Sequence, residues 1–202
     1  AGATYLAPHT SERMALPMAD RTGDILLGML DRPAQPVADR PLVLLIHGLT
    51  GSEDSFYMLN AARHLLDSGY SVLRLNMRGS GPSRPYCREH YHLGRTADFR
   101  RVLSQLPEDL TDNGMVAVGY SLGGAMLLKY LGEEGSFSPL RGAATICAPI
   151  DLLRTCTHMS RTRNWLYQAY LLNDMKAEAL APGAQTSPEE RKIIKAARSV
   201  RE

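Results

Sequence analysis

Apolar and polar positions change rhythm several times along the chain, and each change marks an element. Leu42-Val43-Leu44-Leu45-Ile46 is an unbroken aliphatic run, which suits a strand covered on both faces. Met58, Ala61, Ala62, Leu65 and Leu66 then follow the i, i+3, i+4, i+7, i+8 spacing of one apolar helix face, and Gly69 stands where a left-handed cap would end that helix. Tyr70 to Met77 reads as the next strand. Phe99, Val102, Leu103 and Leu106 form a helical stripe stopped by Pro107, and Met115 to Gly119 is strand-like. Ser121 to Leu131 is helical again, followed by a strand over Ala143 to Cys147. Alternating strands and helices require crossover connections, so the expected fold class is α/β, a mainly parallel sheet with helices on both faces.

Two segments depart from this alternation. Near the start, Arg13 to Met18 and Asp24 to Leu30 flank the turn residues Asp20-Arg21-Thr22-Gly23, which predicts an antiparallel hairpin of edge strands; a Pro-spaced linker, Arg32 to Pro41, follows. After Pro149 the strand pattern disappears. Trp165 to Leu180 is helical, and Ser187-Pro188-Glu189-Glu190 supplies an N-cap, a proline at the first helical position and a glutamate at the third, for a last helix that reads through to Glu202. The expected organisation is a core over residues 1–150 and a helical lid or cap segment over 151–202. No internal repeat or low-complexity segment is visible.

Composition narrows the partners. The chain has 202 residues, enough for one sizeable core, and 23 Lys and Arg against 21 Asp and Glu leave a formal charge of +2 spread along it. That field is too weak to point to nucleic acid or an anionic surface. Cys87, Cys147 and Cys156 are odd in number and unrelated in spacing, so they suggest neither disulfides nor a metal pair, and a reducing cytoplasm is expected. The longest aliphatic run is too short to span a bilayer. The chain begins at Ala1, without a charged start leading into an apolar core.

The candidate chemistry lies at Gly119-Tyr120-Ser121-Leu122-Gly123. This is G-x-S-x-G between an expected strand and an expected helix, the setting a nucleophile elbow requires. Such a turn strains the serine backbone and lifts its hydroxyl above the sheet, while a side chain at 119 or 123 would crowd the neighbouring elements. It also aims the Leu122 backbone N–H at a developing oxyanion, beside the positive end of a helix. His47-Gly48-Leu49-Thr50-Gly51 follows the aliphatic strand, where the second oxyanion donor belongs, and the Leu49 N–H is assigned to it. His47 reads as a residue that fixes the loop by hydrogen bonding, and Arg78 as a solvated loop arginine.

Taken together, HGLTGSEDS (47–55), NMRGSG (76–81), GYSLGGAMLLKYLGEEG (119–135) and CAPIDL (147–152) resemble the YheT-like branch of α/β-hydrolases in order and spacing, over nearly the whole chain. The resemblance implies a cofactor-free serine esterase or lipid-directed acyl hydrolase with a helical lid after the sixth strand, here residues 151–202. It also implies that the triad acid and base follow the seventh and eighth strands in the order Ser, Asp, His. Neither strand is within 1–202. The triad Asp and His, and the rest of the sheet, are therefore expected outside this chain, and a C-terminal fragment of the same protein is an expected partner.

Within the chain, His9, His64, His90 and His92 read as surface or loop residues, and His158 is the only histidine after Ser121. Asp151 reads as a helix N-cap, and a triad of Ser121, Asp151 and His158 is a fallback that needs an unusual fold-back. Cys147 and Cys156 read as packing residues. Trp165, Leu166, Tyr167, Tyr170, Leu171 and Leu172 suit either an apolar acyl channel or the buried face of the lid. No phosphate loop and no H-E-x-x-H spacing is present, so neither cofactor nor metal is expected. The expected function is hydrolysis of carboxylic esters with short- to medium-chain acyl or lipid-like substrates. A non-catalytic binding domain and an acyltransferase using an alcohol acceptor are the alternatives.

Overall fold

Leu42 to Ile46 is buried at all five positions because it lies inside a sheet. In the computed structural model, which describes residues 9–181, 184 and 186–200, six strands form that sheet. They are β1 (His9–Pro17), β2 (Ile25–Pro33), β3 (Leu42–Ile46), β4 (Val72–Leu75), β5 (Met115–Tyr120) and β6 (Leu140–Ile146), in the spatial order β1-β2-β4-β3-β5-β6. β1 and β2 form the expected antiparallel hairpin, but only β1 is an edge strand, because β2 also pairs antiparallel with β4; β4, β3, β5 and β6 run parallel. The helices of this part are α1 (Phe56–Asp67), α2 (Thr96–Leu103), the single turn α3 (Glu108–Thr111) and α4 (Leu122–Glu134).

Because side chains alternate across a strand, β3 feeds two cores. Val43 and Leu45 join Val72 and the α1 residues Met58, Ala62 and Leu66 on one face. Leu42, Leu44 and Ile46 join Phe99 and Val102 of α2 and Met126, Leu127 and Tyr130 of α4 on the other. There Phe99 and Tyr130 meet edge to face at 5.0 Å. Each large aliphatic side chain so buried contributes about 1.5–3 kcal/mol, which explains why the aliphatic run predicts the central strand.

Arg78 corrects the sequence reading. It is fully buried, not solvated: it follows β4 and lines a small cavity with Leu26, Leu75, Met77 and Phe99, while Arg74 and Asn76 are buried against β2 and the loop before α1. Arg74 Nε donates to Asp31 at 2.7 Å and its Nη1 to the Glu53 carbonyl at 2.8 Å, while Asn76 Nδ2 donates to Glu53 Oε2 at 2.6 Å. Arg78 donates to Asp98 at 2.6 and 2.8 Å, to Asp24 at 2.7 Å and to Asp20 at 2.6 Å. A buried guanidinium persists only when its donors are met in this way.

Smaller corrections concern the margins. His9 begins β1 instead of preceding it. β6 is the sheet edge, so most of it is exposed, and Cys147, expected on a buried strand, is exposed just beyond it. Contacts divide the chain into two units, Ala1–Ala148 and Pro149–Glu202. The second contains α5 (Leu152–Met159), α6 (Trp165–Leu180) and α7 (Pro188–Ala196). Ser187 and Glu190 form the expected capping box, but α7 stops at Ala196, where Ala197 turns to φ −53°, ψ 135°. The expectations that fall on residues 1–8 and on Glu202 lie outside the described residues. Among the described residues no helix is long and apolar enough to cross a membrane.

Candidate active site

β5 ends at Tyr120 and α4 begins at Leu122, leaving Ser121 alone at the junction with φ 47° and ψ −118°. A non-glycine residue in such a conformation costs roughly 1–3 kcal/mol and must be held by its surroundings. Here the Ser121 N–H donates to the Ile146 carbonyl at 2.8 Å, and its carbonyl accepts the Ala125 N–H at 2.9 Å. The glycines make room for the turn. A β-carbon at 119 would come within 2.6 Å of the Gly124 Cα, and one at 123 within 2.3 Å of the His47 carbonyl oxygen. Leu122 is the first helical residue, so its N–H has no intrahelical acceptor.

The loop after β3 abuts this turn: a β-carbon at Gly48 would lie 3.1 Å from Ser121 Cβ and 3.3 Å from the Tyr120 carbonyl oxygen. Its backbone donors are nearly all engaged. Gly48 N–H donates to the Tyr57 hydroxyl at 2.9 Å, Thr50 N–H to the Tyr91 hydroxyl at 2.7 Å, and Gly51 N–H to the Gly48 carbonyl at 3.1 Å. The Leu49 N–H has no acceptor among the described residues. Thr50 sits at φ 59° to complete the turn.

His47 is held as a neutral loop residue. It is fully buried, with Nδ1 2.7 Å from the Gly48 carbonyl, while Nε2 accepts the Met77 N–H at 3.1 Å and lies 2.8 Å from Ser80 Oγ. Ser80 in turn donates to the Met77 carbonyl. This network assigns the proton to Nδ1 and occupies the basic nitrogen, so His47 has no lone pair free to take a proton from Ser121. Desolvation lowers its pKa to about 4, partly offset by the Gly48 carbonyl.

The other histidines fall elsewhere. His9 lies 3.7 Å from Asp31, His64 sits in the last turn of α1, and His92 Nδ1 accepts the Gly94 N–H. His90 is half-buried beside Gly79, with its pKa lowered by burial and then by Arg84 and Arg95. Asp151 is the N-cap of α5, accepting the Arg154 N–H at 2.8 Å, and His158 is in the last turn of the same helix. At 1.5 Å per residue they stand roughly 10 Å apart along the axis, which excludes the acid–base contact of the fallback triad. Among the described residues no His, Cys, Asp and Glu cluster could hold a metal. The tyrosines that engage the loop were not foreseen: Tyr57 and Tyr91 lie 9 and 41 residues from their partners, and no local spacing announces such a contact.

The family described as alpha/beta hydrolase fold matches residues 41–192. The chain belongs to the α/β-hydrolase family. Within the family, it is 32% identical over 95% of its length to YheT of Escherichia coli, provisionally named an esterase, and covers 56% of that protein. This agrees with the YheT-like resemblance. It is 40% identical to a medium-chain fatty acid ethyl ester synthase/esterase of Saccharomyces cerevisiae over 61% of its length, which is 28% of that relative. A solved esterase of Pyrococcus furiosus has the same fold, with a TM-score of 0.61 and 20% identity over 82% of this chain and 66% of that one. The chain therefore spans about a quarter to just over half of the curated relatives.

Proposed function

We propose that the protein is a serine hydrolase of carboxylic esters with Ser121 as nucleophile. The observation that carries this reading is the strained backbone of Ser121 at the β5–α4 junction, with the glycine loop after β3 packed against it. The serine Oγ attacks the ester carbonyl carbon as its proton passes to an imidazole, and the carbonyl oxygen becomes an oxyanion. The N–H groups of Leu49 and Leu122 receive that oxyanion, one at a loop with no other open donor and one at a helix N-terminus. The intermediate collapses with loss of the alcohol, leaving an acyl-serine that water then hydrolyses. The acid and base come from a further segment of the same protein that adds strands beyond β6. A lid role for the second unit goes with this reading, and the aromatic and aliphatic side chains Trp165, Leu166, Tyr167 and Tyr170 that α6 exposes favour an apolar acyl group.

Labelling the full-length protein with a serine-directed fluorophosphonate tests this. Modification at Ser121 that disappears in Ser121→Ala is expected, and it persists after exhaustive chelation. Folded full-length protein that does not label would favour a binding domain that keeps the elbow without a triad. The yeast relative is named as both synthase and esterase, which favours a second reading in which an alcohol competes with water for the acyl-serine. Ethyl ester formation at high ethanol concentration would report that partition.

A further inference from the structure

We infer that Tyr57 and Tyr91 are positioning residues that leave Leu49 as the open N–H donor of the loop after β3. The inference rests on the esterase reading for its catalytic consequence, but the geometry stands by itself. Four consecutive residues, 48 to 51, offer four N–H groups near the elbow. Two phenol oxygens accept those of Gly48 and Thr50, at 2.9 and 2.7 Å, and the turn closes on that of Gly51. The groups flanking Leu49 are thus turned away from a reacting oxygen and pinned.

Each phenol is itself fixed. The Tyr57 ring lies 4.8 Å from that of Tyr120, directly before the nucleophile, so α1 and the elbow share one aromatic contact. Its hydroxyl also fills the space beside Gly51, where a β-carbon would approach it to 2.5 Å. Tyr91 stands edge-on to the His47 ring at 5.6 Å, and its N–H donates to the Arg78 carbonyl at 2.8 Å. The segment just before it is held by the Asp24 carboxylate, which accepts the Arg88 N–H at 2.8 Å and the Glu89 N–H at 3.4 Å. Asp24 is in turn paired to Arg78. The buried ion cluster therefore fixes the Tyr91 segment, the Tyr91 hydroxyl fixes Thr50, and the loop is set from both sides. Preorganised donors are worth more than mobile ones because nothing reorients as charge develops.

The test uses Tyr57→Phe and Tyr91→Phe in the full-length protein, which keep both rings and remove only the hydroxyls. Tyr70→Phe serves as control: it loses a hydroxyl that accepts from Arg40 at 2.7 Å and not from the loop. Amide exchange is expected to quicken roughly 10-fold at Gly48 in the first variant and at Thr50 in the second, the effect of one lost hydrogen bond. Toward a p-nitrophenyl ester, kcat is expected to fall about 10-fold in each variant with KM within about twofold, because a displaced donor weakens the transition state more than substrate binding. Tyr70→Phe leaves both unchanged. Unchanged exchange at residues 48 and 50 overturns the inference, as does an unchanged kcat per fluorophosphonate-labelled Ser121 with only a lower melting temperature. If wild-type Ser121 does not label, the esterase reading falls, and the exchange measurements still decide whether the two hydroxyls set the loop.

Discussion

Gly48 lies against Ser121 so closely that a β-carbon on the glycine would stand 3.1 Å from that of the serine. The two residues are 73 positions apart and meet because β3 and β5 are parallel neighbours whose carboxyl ends open at one side of the sheet. In such α/β sheets that side is where ligands bind.

The packing there grades two substitutions. Gly48→Ala demands a few tenths of an ångström from its neighbours, so the protein is expected to fold with kcat reduced on the order of 10-fold by displacement of the loop. Gly123→Ala would place its methyl 2.3 Å from the His47 carbonyl oxygen, a backbone atom that cannot swing aside. It is expected to destabilise by about 1–3 kcal/mol or more. Urea unfolding and ester turnover of both variants check this; equal stability of the two would contradict the geometry.

Much of this was legible beforehand, for reasons that particular residues make clear. Leu42 to Ile46 had to be a central strand because only full burial tolerates such a run, and G-x-S-x-G had one structural setting that satisfied its glycines. Arg78 was misread because its partners, Asp20, Asp24 and Asp98, are scattered over almost 80 residues, and nothing local distinguishes a buried guanidinium from a solvated one. Cys147 was misplaced for a related reason: an apolar strand in sequence does not say whether it has a neighbour on its far side. The exposure of β6 depends on its place in the sheet order, which is a long-range property.

Replacing Arg78 by Met is expected to cost about 3–5 kcal/mol in chemical denaturation, since the carboxylates of Asp24 and Asp98 would lose the guanidinium that pairs them. The acid side of the stability curve should change too. Burial opposes ionisation of Asp24, yet the N–H groups of Arg88 and Glu89 and the Arg78 guanidinium hold its pKa below the usual carboxylate value; Asp20 is held low mainly by Thr22. A folded pKa below the unfolded one gives stability that is complete above pH ~4 and lost as pH falls through the folded value. Arg78→Met should therefore show a shallower acid loss than wild type. A steeper one would contradict the pairing.

His47 gives a second pH window. Its folded pKa of about 4 lies below an unfolded value of about 6.5, so the unfolded chain takes up the proton first. Stability linked to His47 is full above pH ~6.5 and lost as pH falls toward 4, by up to about 3 kcal/mol over that range. His47→Gln is expected to be less stable at pH 7, because the Gly48 and Met77 bonds are disturbed, but flatter between pH 6.5 and 4.5. Thermal melts at half-unit intervals measure this. An equal slope in the variant would mean that another group titrates there.

The two edges of the sheet differ in a way that predicts what covers one of them. β1 presents Thr10, Ser11, Glu12 and Arg13, polar residues of the kind that guard an edge, whereas β6 presents Gly142, Ala143, Ala144, Thr145 and Ile146 after a single arginine. An exposed apolar edge with unpaired backbone groups is a template for another strand. We expect that strand to come from a further segment of the same protein, together with the acid and base that Ser121 needs. Native protein should then have an intact mass well above 22.2 kDa, or bring a second fragment with it, and its β6 amides should exchange slowly. A polypeptide restricted to residues 1–202 should exchange rapidly at β6, aggregate, and retain only the rate that oxyanion binding gives without a base, roughly 10³-fold over water. A fully active, stable monomer of 22.2 kDa would defeat this prediction and require a base for Ser121 from within the 202 residues.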